Sequence, residues 1–120
     1  MASDTVCTLV PYFKVKPGQL DAFRAGVAGF VARTKSEIGC VHYAFSFDGD
    51  TAHCREGYDD AAALLAHLDN VNALLGAALK IADITRLEVH GPAAEVDKLR
   101  APLAGLKPQF FVLEPGGIRR

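Results

Sequence analysis

Between Val6 and Val89 the spacing of apolar residues changes from every second residue to about every 3.6 and back, twice over, which leaves few folds open. Val6 to Val15 is rich in β-branched and aromatic residues and reads as a first strand. Pro11 cannot donate a ladder hydrogen bond, so that strand is expected at a sheet edge or with a bulge. Pro17-Gly18 breaks the pattern, and Leu20, Phe23, Val27, Phe30 and Val31 fall on one stripe of a helix predicted to run to about Glu37. Gly26 and Gly29 lie inside it, each costing up to ~1 kcal/mol relative to alanine, which close packing against another backbone would explain. Gly39 ends the helix, and Val41, Tyr43, Phe45 and Phe47 alternate with His42, Ala44 and Ser46 in a second strand. Asp48-Gly49-Asp50 turns the chain into a third strand, Ala52 to Tyr58, giving an antiparallel hairpin. Asp59 and Asp60 stand where an N-cap and an acidic first turn belong, ahead of a helix that Asp69-Asn70 interrupts between Ala61–Leu68 and Val71–Leu79. Ile84 to Val89 is a fourth strand, with Thr85, Leu87 and Val89 opposite Arg86, Glu88 and His90.

That order is βαββαβ: two helices crossing one antiparallel sheet, an α+β sandwich of the ferredoxin-like kind. A short helix from Ala93 to Leu99 and a C-terminal strand, Pro108 to Glu114, extend it. The 120 residues suffice for one domain and not for two separate cores. Thirteen basic and fourteen acidic residues leave a net charge of -1, so no cationic field gathers phosphates, and the third strand lacks the aromatic motif with which such sheets stack RNA bases. Nucleic acid is not an expected partner. No uncharged apolar run approaches the ~20 residues of a membrane span, the N-terminus lacks the pattern of a signal peptide, and a cytoplasmic protein with no membrane partner is expected. Cys7, Cys40 and Cys54 form neither a CxxC pair nor an even set, so reduced, mostly buried thiols are expected.

A sheet covered by helices on one face alternates apolar and polar residues when water wets the other. Here Cys7, Leu9 and Phe13 oppose Val10 and Tyr12, and Phe111 and Leu113 oppose Phe110 and Val112. A second sheet over the far face would explain both, and in so short a chain it comes from another copy, predicting a homodimer. The apolar strand at 108–114 needs a ladder partner, and the linker from Gly91 to Lys107 is long enough to deliver it to the partner's sheet. Exchange is the expected arrangement and pairing with its own sheet the second.

Lys16-Pro17-Gly18 after the first strand, Glu37-Ile38-Gly39-Cys40 followed by Tyr43, Arg55-Glu56-Gly57-Tyr58-Asp59-Asp60, and Ala66-His67-Leu68 on the second helix resemble, in this order, the antibiotic biosynthesis monooxygenase superfamily over roughly residues 6–90. The resemblance implies a homodimer in which two sheets close an α/β barrel. It also implies, for some members, oxidation of phenolic or quinol-type aromatics by O2 with neither metal nor flavin. Other members degrade haem, using an Asn, Trp and His constellation. This chain has no Trp, carries Tyr58 where the family commonly has one, and reads Asn72 near the place of the second His, so haem degradation is not expected.

Oxygenation of a phenol without a cofactor needs a dry pocket, a base that makes an electron-rich anion, and donors that hold it. His67 is the candidate base, with a satisfied helix histidine as its structural alternative. Tyr43 can orient a substrate oxygen or simply pack. Asn70 and Asn72, placed in a break between helical runs, can donate amide hydrogen bonds to an anionic oxygen or cap the helix. Of His53 with Arg55 and Cys54 with Glu56, one set shares a cavity with the helices, and Glu56 is expected to anchor a buried hydrogen bond or ion pair rather than act as a base. His42, His53, His67 and His90 show no tight ligand spacing, so neither metal nor cofactor is expected. The expected function is a cofactor-independent monooxygenase acting on a small aromatic ligand; the alternative is a non-catalytic, ligand-binding or stress-associated dimeric barrel protein.

Overall fold

The computed structural model describes residues 4–120. Its elements are β1 (Cys7–Val15), α1 (Leu20–Thr34), β2 (Cys40–Asp48), β3 (Thr51–Tyr58), α2 (Ala61–Ala78), β4 (Ala82–Gly91), α3 (Ala93–Arg100), a 3-10 turn at Ala104–Leu106, and β5 (Gln109–Val112). The strands form one sheet in the order β2-β3-β1-β4-β5, antiparallel except where β5 joins β4 in parallel. The chain is therefore the expected βαββαβ ferredoxin-like α+β unit with a C-terminal strand. α1, α2 and α3 share one face of the sheet, where Cys7, Leu9, Tyr58, Leu64, Val89 and Leu99 form the main buried cluster.

One local alternative is decided and two expectations are corrected. Pro11 sits in β1 at the centre of the sheet, and the register to β4 shifts between Tyr12 and Phe13, so the bulge applies and the edge does not. Val41 falls at a register shift in β2, is exposed, and leaves its helix-facing place to Cys40. In the same way Ile84 replaces Thr85 on the helix side of β4, because Ile84 pairs with Phe13 just past the same shift at Tyr12 and Phe13. Period-two alternation does not survive a bulge, which adds one residue to one strand and turns the following side chains over.

α2 is continuous through Asp69-Asn70. Its stripe of Leu64, His67 and Val71 is buried, and reciprocal bonds staple residue 70 to α1. Asn70 Nδ2 donates to the Arg33 carbonyl (2.9 Å), while Arg33 Nε and Nη2 donate to the Asn70 carbonyl (3.2 and 2.9 Å). These outweigh the few tenths of a kcal/mol that Asp and Asn cost in a helix interior. Asp60 is the N-cap, accepting from Ala63 N at 2.8 Å, and Glu95 of α3 accepts from Ala61 N at 3.0 Å. α2 is also the one described helix long and apolar enough to cross a membrane, at 18 residues, but its apolar stripe faces the sheet. The α1 glycines do not meet another backbone: a Cβ on Gly29 would touch only the Leu74 side chain at 3.7 Å, and nothing lies near Gly26.

β5 pairs with β4 of its own chain, Val89 opposite Phe110 and His90 opposite Phe111, so the exchange expectation is replaced by the second arrangement. α3 and the 3-10 turn shorten the linker and supply the crossover that a parallel pair requires. Phe110 packs into the helix-side core, whereas Phe111 stacks on His90 with centroids 4.6 Å apart. The sheet face away from the helices is mixed rather than apolar: Val10, Tyr12 with its ring tilted against His53, and the bonded row Arg86, Glu88 and His90.

Candidate functional site

The helix-facing side of β3 carries Cys54, Glu56 and Tyr58 at i, i+2 and i+4, and Glu56 lies opposite Tyr43 of β2. Of the two alternating sets on β3, the one with Glu56 thus faces the helices. α2 crosses above and projects His67 down among these residues, 2% exposed. After Thr34 the chain makes one more turn, Glu37 N donating to the Thr34 carbonyl at 2.9 Å, which delivers the Glu37 carboxylate to the opposite side of the same imidazole.

His67 therefore lies between two carboxyl groups. Its Nδ1 is 2.9 and 3.0 Å from the Glu37 oxygens, and its Nε2 is 3.4 Å from Glu56 Oε1. A carboxylate can only accept, so Nδ1 carries the hydrogen and Nε2 is the free basic nitrogen. Asn70 Nδ2 also donates to Glu37 Oε2, at 2.8 Å, fixing the carboxylate that fixes the ring. The Tyr58 hydroxyl donates to Glu56 Oε1 at 2.5 Å. Tyr43 and Tyr58 each place a ring centroid 5.0 Å from the imidazole, enclosing it in aromatic surface.

Burial controls the protonation of this cluster. It pushes the Glu56 carboxyl up to about 8, against the hydrogen bonds from Tyr58 and Cys54 that favour its anion. It holds His67 below the usual histidine value despite the Glu37 carboxylate, and it raises the Tyr43, Tyr58 and Cys54 protons far out of the neutral range. At pH 7 Glu56 is mainly a carboxylic acid and His67 mainly a neutral base. The Glu37 side chain is 12% exposed and also lines a surface cleft with Thr34, Lys35 and Cys40. The row Glu37, His67, Glu56 thus leads from solvent to the interior.

His67, Glu56, Tyr43 and Cys54 share a cavity of about 40 Å³ between sheet and helices, otherwise walled by apolar side chains such as Phe13 and Leu87. Of the residues singled out in the sequence, the structure brings together His67, Tyr43 and Asn70. Asn72 points elsewhere, exposed on the next turn of α2 beside a separate cleft. Glu37 had no role assigned from the sequence, and no spacing connects 37, 56 and 67. Glu56 did leave a signal: a carboxylate on the apolar side of a strand, between Cys54 and Tyr58, is an anomaly that calls for a buried partner. Among the described residues no three His, Cys, Asp or Glu side chains converge as a metal site.

A ferredoxin-like sandwich with a buried carboxyl–imidazole–carboxyl row over an apolar cavity defines a small α+β protein built around acid–base groups. The model of the family described as antibiotic biosynthesis monooxygenase matches residues 7–73, more than half the chain, and the chain belongs to that family. It is similar to MupZ from Pseudomonas fluorescens, with 50% identity over 96% of this chain and 95% of that one and a TM-score of 0.91. Protein SO0527 from Shewanella oneidensis (20% identity, 72% and 90% covered, TM-score 0.65) and Rv0793 from Mycobacterium tuberculosis (23%, 71% and 90%, TM-score 0.60) share the fold. No curated protein matches the chain.

Proposed function

We propose that this member of the family is an acid–base enzyme in which His67 Nε2 takes the proton from a hydroxyl group entering the cavity. The single observation that carries the reading is the buried imidazole fixed at Nδ1 by Glu37 and turned at Nε2 toward Glu56 and the cavity. Desolvation keeps the ring neutral and ready to accept, and the Glu37–Nδ1 contact stabilises the imidazolium that forms. For a phenol or quinol the product is an electron-rich anion that O2 oxidises without a cofactor. One oxygen atom becomes a quinone carbonyl and the other leaves as water, so a phenol plus O2 gives a quinone plus H2O. Tyr43 and Glu56 border the space where the ring oxygen would sit. The active form is proposed as a homodimer through the uncovered sheet face, and the three free thiols favour a reducing compartment such as the cytoplasm.

One observation favours a second reading. Glu56 is held protonated beside a neutral His67, and such a divided acid–base pair moves protons on a substrate without any oxidant. Turnover of a panel of phenols and quinols, in air and under argon, separates the two. Oxygen uptake that stops under argon supports the monooxygenase; turnover that persists under argon supports oxygen-independent acid–base chemistry. Binding without turnover in either atmosphere overturns both in favour of a binding protein.

A further inference from the structure

Two cavities flank α2, and three leucines belong to both. The inner one, with His67 and Glu56, has about 40 Å³, while a cleft of about 470 Å³ lies outside it, and Leu68, Leu75 and Leu106 line each of them. A cavity of roughly 150 Å³ holds one benzene ring. The inner space therefore admits the few atoms that react, and the remainder of any larger substrate must lie beyond the leucines. We propose that the outer cleft is the second half of the substrate site, receiving an uncharged aliphatic chain attached to the reacting head, with Leu106 as the movable wall between them. This rests on the reading of His67 and Glu56 as the reacting end.

Leu65, Pro102 and Leu103 give the cleft an alkyl-binding surface, and the Asp69 carboxylate at its rim disfavours an anionic tail. Leu106, 41% exposed, sits on the three-residue 3-10 turn, held there by bonds from Leu106 N to the Leu103 carbonyl (3.0 Å) and from Lys107 N to the Ala104 carbonyl (3.1 Å). The turn closes on Lys107 in the left-handed region at φ 52°, an unfavourable backbone for a lysine of order 1 kcal/mol, and this strain offsets part of what those two bonds contribute. This wall comes from a segment outside the matched residues 7–73, whereas His67 and Glu56 lie inside them. The chemistry belongs to the shared core and the length selection to the extension.

Titration calorimetry of the full chain with 4-methylphenol, 4-butylphenol and 4-hexylphenol tests the assignment. Affinity is expected to rise about 2- to 4-fold per added methylene as the tail is buried. Asn72→Trp, which fills the cleft from an exposed position and does not line the inner cavity, should flatten that dependence while changing 4-methylphenol binding less than about twofold, and Leu106→Trp, whose side chain borders both spaces, should flatten it whatever affinity 4-methylphenol retains. Equal affinity across the series, an undiminished slope in both variants, or no binding by any member would overturn the proposal. A retained slope without turnover in air or under argon would instead overturn the catalytic reading alone and leave the cleft assigned.

Discussion

Glu37 and Glu56 flank one imidazole, yet they occupy different surroundings. Glu37 follows α1, touches a surface cleft, and is held by the Asn70 amide and by His67 Nδ1. Glu56 sits on an interior strand beneath α2, with the Tyr58 hydroxyl and a more distant Nε2 as its neighbours. The side chain is the same, and the solvent it sees is not. Burial without a nearby cation keeps a carboxyl protonated, whereas a carboxylate at the protein's rim orients a ring and exchanges with water. Their difference turns a symmetric-looking sandwich into a directed row, with an outer group that positions and an inner group that can give or share a proton.

Removing the imidazole should collapse this comparison entirely. His67→Ala is expected to lower turnover by roughly 10²- to 10⁴-fold, about 3–5 kcal/mol of barrier, with the circular dichroism spectrum retained. Unchanged turnover would make His67 a packing residue.

Glu56→Gln sharpens the contrast through stability. A carboxyl raised from 4.5 to about 8 on folding contributes stability that is complete below 4.5 and is lost as pH rises toward 8. Wild-type stability relative to Glu56→Gln should therefore fall with pH across that window, by up to about 1.4 kcal/mol per pH unit, while Tyr58 still has an oxygen to donate to. His67 runs the other way: its lowered value gives stability present above about 6.5 and lost as pH falls. Urea titrations at several pH values read the difference, and a pH-independent gap would show that Glu56 is not held protonated.

The outer end should respond least. Asn70→Ala removes the donor to Glu37 and one half of the Arg33 staple, and is expected to cost about 1 kcal/mol of stability and only a few-fold in turnover. A loss as large as that of His67→Ala would place the proton-accepting role at Glu37 instead.

The sequence by itself determined the order of elements, the place of His67 on the second helix, and an acidic cap at Asp59-Asp60, because periodicity and capping are local and each residue's neighbours in the chain dictate them; that the His67 ring turns toward the sheet was decided by the packing. Family membership was legible from Glu37, Tyr43, Arg55–Asp60 and Ala66–Leu68 in their order. Only the tertiary structure decided that Glu37, Glu56 and His67 meet, since three elements separated by 19 and 11 residues converge through sheet pairing and helix crossing that no spacing encodes. It also decided that α2 passes unbroken through Asp69-Asn70, where bonds to Arg33 override weak helix propensity, so Asn72 falls on the exposed side. The strand at Phe110 and Phe111 was apolar enough to demand a partner, but the choice of its own β4 depended on α3 and the 3-10 turn taking up the linker. Local pattern fixes what a segment can become, and the burial it finds in three dimensions fixes which carboxyl keeps its proton.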